Sequence, residues 1–206
     1  MFKVTQEFNS FEELRLHLQD CRSCGLCQQR TIVVVGVGNT QAPVMFIGEA
    51  PGQQEDLRGE PFVGRSGQLM DKMLGYVGLS RNRNIYIANM VKCRPPQNRD
   101  PQREEVEACS HYLASQIRLI NPRVIVCVGR IAAMALISPD YKVTKEHGRF
   151  FEKDGRLMMG TFHPAALLRN QNQKPDALED FIGLRQKLLE LGLFTEAELP
   201  FVPCEQ

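Results

Sequence analysis

Val44-Met45-Phe46-Ile47-Gly48-Glu49-Ala50-Pro51-Gly52 is the stretch whose reading decides the fold. A run of consecutive apolar residues that stops at Gly-Glu-Ala-Pro-Gly reads as a strand ending in a tight turn. Because the run lacks polar alternation, the strand is covered on both faces, as in a parallel sheet flanked by helices. The same pattern recurs at 85–88 before Asn89, at 124–128 before Gly129 and at 157–162 before His163. Amphipathic stretches at 67–77, 101–120, 130–137 and 175–191 predict helices between and after these strands, with Pro101 suited to a first turn. The expected architecture is α/β: a central, mostly parallel four-stranded sheet with helices on both faces. Residues 32–37 read as a hairpin arm or edge strand, and 149–152 as a partner of 157–159 around Asp154-Gly155. In such folds functional groups gather outside the carboxyl ends of the strands, so the four ends should meet at one cleft.

The chain has 206 residues, 43% of them hydrophobic and 24% charged, which fits one domain over 1–206 with a sizeable core. No apolar run approaches the roughly 18 residues of a membrane span. The N-terminus lacks an apolar signal core, and Ser10 with Glu13 reads as a capping box opening a helix. The expected location is the cytoplasm, at the nucleoid, and the expected state a monomer. The net charge of +1 hides a local asymmetry: between Arg81 and Arg103 six basic residues face the single acid Asp100, in a Pro-rich stretch suited either to solvent or to phosphate. Residues 195–206 carry little signal.

The chain has seven cysteines, which in a reducing compartment favours thiolate ligands or free thiols over a disulfide framework. Cys21, Cys24 and Cys27 recur at three-residue intervals, followed far along the chain by Cys93 and Cys109. Four of these five are expected to hold one metal centre. Zinc modules place their second ligand pair within about 20 residues of the first, and the wider gap here ties together distant parts of a domain. Spacing alone leaves zinc and iron-sulfur open, and all three N-terminal cysteines in play. Cys93 and Cys109 can face one point only if the intervening PPQNRDP loop folds back.

Several motifs sit at the predicted strand ends. Gly48 to Gly52 offers backbone N–H groups and the Glu49 carboxylate. Pro61 to Gly64 puts Phe62 in a Gly-rich loop, where it serves as a stacking ring or a core plug. Asn89 carries an amide able to read a donor-acceptor pattern, or to cap a turn. His163 precedes Pro164, Leu167, Leu168 and Arg169.

In this order the motifs closely resemble the iron-sulfur uracil-DNA glycosylases known as family 4. The resemblance spans nearly the whole chain: Cys21, Cys24 and Leu26; Arg30-Thr31; Gly36, Gly38 and Asn39; GEAPG; PFVGRSGQL; the Asn89 strand; KCRPPQNR; and HPAALLR. It implies a uracil-DNA glycosylase-like three-layer sandwich. It also implies that the protein flips uracil out of DNA and hydrolyses the N1–C1′ bond, leaving an abasic site. Gly48, Glu49, Ala50, Phe62, Asn89 and His163 would form the uracil pocket. Phe62 would stack on the base, Asn89 would read its N3–H and O4, and His163 would donate toward O2. Glu49 would position water or stabilise the sugar cation. Where the wider superfamily often carries a water-positioning Asp or Asn, this chain has Ala50, and Glu55 is a second candidate, for excluding the thymine methyl. Arg94, Asn98, Arg99, Leu167 and Arg169 would contact DNA, with Leu167 or Leu168 as a wedge. Cys21, Cys24, Cys93 and Cys109 would hold one structural 4Fe-4S cluster, with Cys27 outside the set and no catalytic metal. The alternative reading is a metal-stapled module that binds damaged DNA without hydrolysis, which Ala50 favours.

Overall fold

The alternation of side chains across the strands sorts the core into two layers. A computed structural model describes residues 7–202. In chain order the elements are α1 (Phe11–Gln19), β1 (Val37–Gly38), β2 (Val44–Gly48), α2 (Gln53–Arg58), α3 (Arg65–Tyr76), β3 (Ile85–Asn89) and α4 (Arg103–Ile120). There follow β4 (Val124–Val128), α5 (Arg130–Leu136), α6 (Val143–Glu146), β5 (Phe150–Lys153), β6 (Arg156–Thr161), α7 (Pro164–Arg169) and α8 (Lys174–Glu190). The strands form a six-stranded sheet in the order β1-β3-β2-β4-β6-β5.

The four expected strands are the central four, all parallel. The sheet has six strands rather than four because an antiparallel strand is added at each edge. Of the expected edge run at 32–37, only its last residue pairs, with Val37 opposite Ile87 and Gly38 opposite Tyr86. Earlier in that run, Val34 N–H donates instead to Lys92 O at 2.8 Å.

Val44, Phe46, Ile85, Ile87, Val124 and Val126 point to one face, against Met70, Leu74, Phe181 and Leu184 of α3 and α8. Met45, Ile47, Tyr86, Ala88, Ile125 and Cys127 point to the other, against Leu113 of α4 and Ala132, Ala133 and Leu136 of α5. The period of two along each strand thus builds both interfaces, and the continuous apolar runs follow from burial on both sides. No helix among the described residues is long and apolar enough to cross a membrane.

The first helix opens as expected on Ser10, whose Oγ accepts from Glu13 N–H at 3.1 Å, while Glu13 Oε2 accepts from Asn9 N–H at 2.8 Å. The C-terminal stretch carries more structure than its sequence suggests. Leu199 is fully buried, Arg185 pairs with Glu196, and the Arg185 guanidinium lies 4.1 Å from the Phe201 ring centre. Residues 1–6, part of the expected signal-free N-terminus, and residues 203–206 of the tail lie outside the described residues.

Candidate active site

All four central strands end at one cleft of about 620 Å³, bordered by Glu49, Phe62, Asn89, Gly129 and His163, a size suited to a small ligand. Gly48 and Asn89 are the last paired residues of β2 and β3 and stand opposite each other. A Cβ on Gly48 would lie 2.5 Å from Asn89 Oδ1 and 2.6 Å from Phe62 Cζ, so only glycine lets these two side chains close on the strand end. Asn89 is 2% exposed, and its Oδ1 is buried without a hydrogen-bond partner. A buried acceptor left unpaired costs about 1–3 kcal/mol.

Phe62 forms the cleft wall from a strained position, a left-handed backbone with φ of 54°. Two contacts hold it there. Arg81 donates to Pro61 O at 2.6 Å and Phe62 O at 2.7 Å while pairing with Asp71 at 2.9 Å. Gly67 lets the first turn of α3 pass so close that a Cβ there would fall 1.8 Å from Phe62 O. The Phe62 ring centre lies 5.7 Å from that of His163.

His163 caps α7, its Nδ1 accepting from Ala165 N–H at 3.2 Å. That bond makes Nδ1 the unprotonated nitrogen and leaves the proton of the neutral ring on Nε2. Burial, helped by the nearby Arg169 charge, pulls the imidazole pKa down to about 4, so the ring is neutral at pH 7. Gly129, at φ +93°, makes room for it: a Cβ there would stand 2.9 Å from His163 Cβ.

Glu49 follows β2 at the mouth of the cleft. Burial first, and then the neighbouring Asp100 carboxylate, raise its pKa to about 7 against the opposing pull of Arg130. Asp100 is itself paired with Arg130 at 2.8 Å. Sequence reasoning passed over both residues as functional, because their pairing spans separate elements and leaves no local signal.

Glu55 lines the cleft with its carboxylate held by main-chain donors. Its Oε1 accepts from Val63 and Gly64 N–H, both at 2.9 Å, and its Oε2 from Gly52 N–H at 3.1 Å, so the carboxylate ties the GEAPG turn to the Phe62 loop. Leu167 is corrected as a DNA contact: it is 1% exposed and packs in the core, because α7 turns that side toward the sheet. Leu168 is half-buried and Arg169 exposed.

The PPQNRDP loop does fold back. Arg94 Nε donates to Asn98 Oδ1 at 2.7 Å, and Arg99 forms two bonds to Glu105, at 2.8 and 2.6 Å, in the first turn of α4. Asn98, Arg99 and Arg169 lie on the cleft rim. Cys93 and Cys109 are thereby both buried in a third cluster with Phe8, Leu14, Leu18, Leu26 and Tyr112, against which Cys21 and Cys24 pack. All four, with Cys27, border one cavity. Arg30 reaches the Cys93 sulfur at 3.4 Å, and Lys92, 1% exposed, also lines the cavity. Burial pulls the Lys92 pKa down to about 8 and pushes the Cys109 thiol up to about 12.

A mostly parallel sheet with a polar cleft at its strand ends has counterparts among known proteins. Residues 35–183 match the model described as the uracil DNA glycosylase superfamily. The type-4 uracil-DNA glycosylase of Archaeoglobus fulgidus is 41% identical over 180 residues, which is 84% of this chain and 90% of that protein. That of Thermotoga maritima is 43% identical over 159 residues, 76% of this chain and 82% of that protein. A type-5 enzyme of Pyrobaculum aerophilum is 33% identical over 146 residues, 63% of this chain and 64% of that protein. The chain belongs to the type-4 uracil-DNA glycosylase family.

Proposed function

We propose that this chain excises uracil from DNA by hydrolysing the N1–C1′ bond of a nucleotide flipped into the cleft. The observation that carries the reading is the unpaired Asn89 Oδ1, buried beside an aromatic ring and a neutral histidine. The N3–H of uracil supplies the missing donor, while the Asn89 amide N–H₂ donates to O4. Cytosine presents an acceptor and a donor at those positions and would leave both sides unpaired. Phe62 stacks on the extruded base, an interaction worth roughly 1–3 kcal/mol that any base could gain.

Bond cleavage sends negative charge onto uracil and positive charge onto the sugar. His163 meets the first with a fixed Nε2–H aimed at O2; being neutral, it stabilises the anion without having to lose a proton. Glu49 meets the second when ionised, as partner of the cation and holder of the attacking water, a role that Ala50 cannot take. Outside the pocket, Arg94, Asn98 and Arg169 contact phosphates, and Leu168, rather than Leu167, fills the gap left by the base. Arg99 joins them only in exchange for its bonds to Glu105.

Cys21, Cys24, Cys93 and Cys109 fit a 4Fe-4S cluster. All four cysteines line one cavity, and four thiolates are the donor set such a cluster takes. The four belong to one packed cluster, which does not include Cys27. Such a cluster with four thiolates carries a net charge of about −2, and two cations, Arg30 and Lys92, border the cavity. The cluster supplies cohesion, pinning α1 and the PPQNRDP loop to the sheet, and none of these residues performs the hydrolysis. The protein acts as a monomer in the cytoplasm, at the nucleoid.

The test is a duplex with one U:G or U:A pair, incubated with protein and then alkali. Strand breakage at uracil is expected. Absence of a break at every salt concentration sinks the reading, and uracil-DNA affinity without a product would mark a binding module instead.

A further inference from the structure

Lys92 is the most deeply buried cation of the described residues, and its ammonium meets no carboxylate. Its Nζ donates to Asn89 O at 2.7 Å and to Gln116 Oε1 at 2.6 Å, both neutral acceptors. A charge placed there without an opposite partner is costly, and hydrogen bonds alone do not offset it. The opposite side of the residue shows where the missing negative charge belongs. Lys92 lines the cysteine cavity together with Cys109 and immediately precedes Cys93.

The acceptors of Nζ are themselves fixed. Gln116 is fully buried and its Nε2 donates to Val35 O at 2.8 Å, which leaves its Oε1 turned to the ammonium. Asn89 O belongs to the residue whose side-chain amide faces the cleft. Carbonyl and side chain share one Cα, so a clamp on the first sets the direction of the second. Beyond Asn89 the chain stays anchored to β2, Met90 N–H donating to Gly48 O at 2.8 Å and Val91 N–H to Glu49 O at 3.2 Å.

We propose that Lys92 is a positioning residue that couples the cysteine centre to base recognition: the anionic cluster balances its ammonium, and the ammonium holds the Asn89 main chain so that the amide faces uracil. The inference rests on the function and cluster proposed above. It makes the cluster more than a staple for the N-terminus, because its charge is what allows a cation to reside under the uracil-reading residue.

The experiment uses the cluster-loaded full chain and compares wild type with Lys92→Met, similar in length but uncharged. Iron and sulfide content, the reduction potential of the cluster by spectroelectrochemical titration, and affinity for free uracil are measured together. In Lys92→Met the potential should move negative, because a removed positive charge disfavours the added electron. Uracil should bind about ten-fold more weakly, the scale of losing a supporting contact behind a site, with affinity for uracil-free duplex unchanged. A variant that retains iron and matches wild type in both potential and uracil affinity overturns the proposal. If Lys92→Met fails to assemble the cluster, Gln116→Leu decides: it keeps the charge but frees one end of the clamp, and should weaken uracil binding at a nearly unchanged potential. Unchanged uracil binding in that variant would refute the coupling. A wild-type protein that neither binds nor releases uracil would instead refute the parent reading.

Discussion

Replacing Asn89 with leucine should make the free protein more stable while disabling it. Asn89 Oδ1 is buried and unpaired in the free protein, so its desolvation of about 1–3 kcal/mol is unrecovered until uracil arrives. Leucine has a similar shape and no polar atom, and the strand's main-chain bonds to β2 do not depend on the side chain. The substitution should therefore recover about 1–3 kcal/mol. For a chain of this size that raises the melting temperature by roughly 2–4 °C per kcal/mol. The same change removes the bonds to N3–H and O4, and a loss of about 3 kcal/mol in the transition state corresponds to a fall in kcat/KM of about a hundredfold. Thermal melts without DNA, together with single-turnover cleavage of a U:G duplex, measure the two effects. Opposite signs are required. A variant that loses activity and also melts earlier would show that Asn89 holds the fold, and full activity would show that it does not read the base.

The pH profile should report Glu49. With a pKa near 7, kcat/KM should fall as pH drops through that value, because the ionised form does the work. His163, titrating near 4, adds nothing until well below. Asp100→Asn removes a like charge and frees Arg130 for Glu49, so the acid limb should move to lower pH by about one unit; an unmoved limb assigns it to another group. Cys27→Ser should preserve iron content as measured by chemical analysis, whereas Cys24→Ser should abolish it, and the reverse would exchange the ligands. Leu167→Ala should cost about 2–5 kcal/mol in denaturant unfolding as a core truncation, while Leu168→Ala should leave stability nearly unchanged and weaken binding to uracil-containing duplex.

Much of this arrangement was legible because burial on both faces writes an unbroken apolar run into each central strand. The ends of those runs, at Gly48, Asn89, Gly129 and His163, mark the cleft. Helix α2 was not legible: Gln53–Arg58 has no apolar periodicity and forms because Glu55 gathers the surrounding N–H groups and Gly59 ends the turn in a left-handed conformation. The pairing of Asp100 with Arg130 joins a loop to a helix thirty positions away, which no spacing rule reaches. Leu167 and Leu168 were indistinguishable in sequence, since one helical step separates core from rim. The tail is not legible because its anchors, Leu199 and Phe201, stand in a short stretch broken by Pro200 and Pro203, with no helical or strand period.

The brace formed by Arg81 separates two responses to salt. Its side chain is only 11% exposed and bonds two carbonyls and Asp71 at once, so mobile ions screen it poorly. Arg169, by contrast, stands in solvent, where counterion release governs each phosphate contact. Added salt should therefore loosen the grip on DNA long before it disturbs the ring that meets the base. Raising ionic strength would increase KM while leaving kcat nearly constant, so that the search along DNA can be tuned by the medium and the inspection of the base cannot.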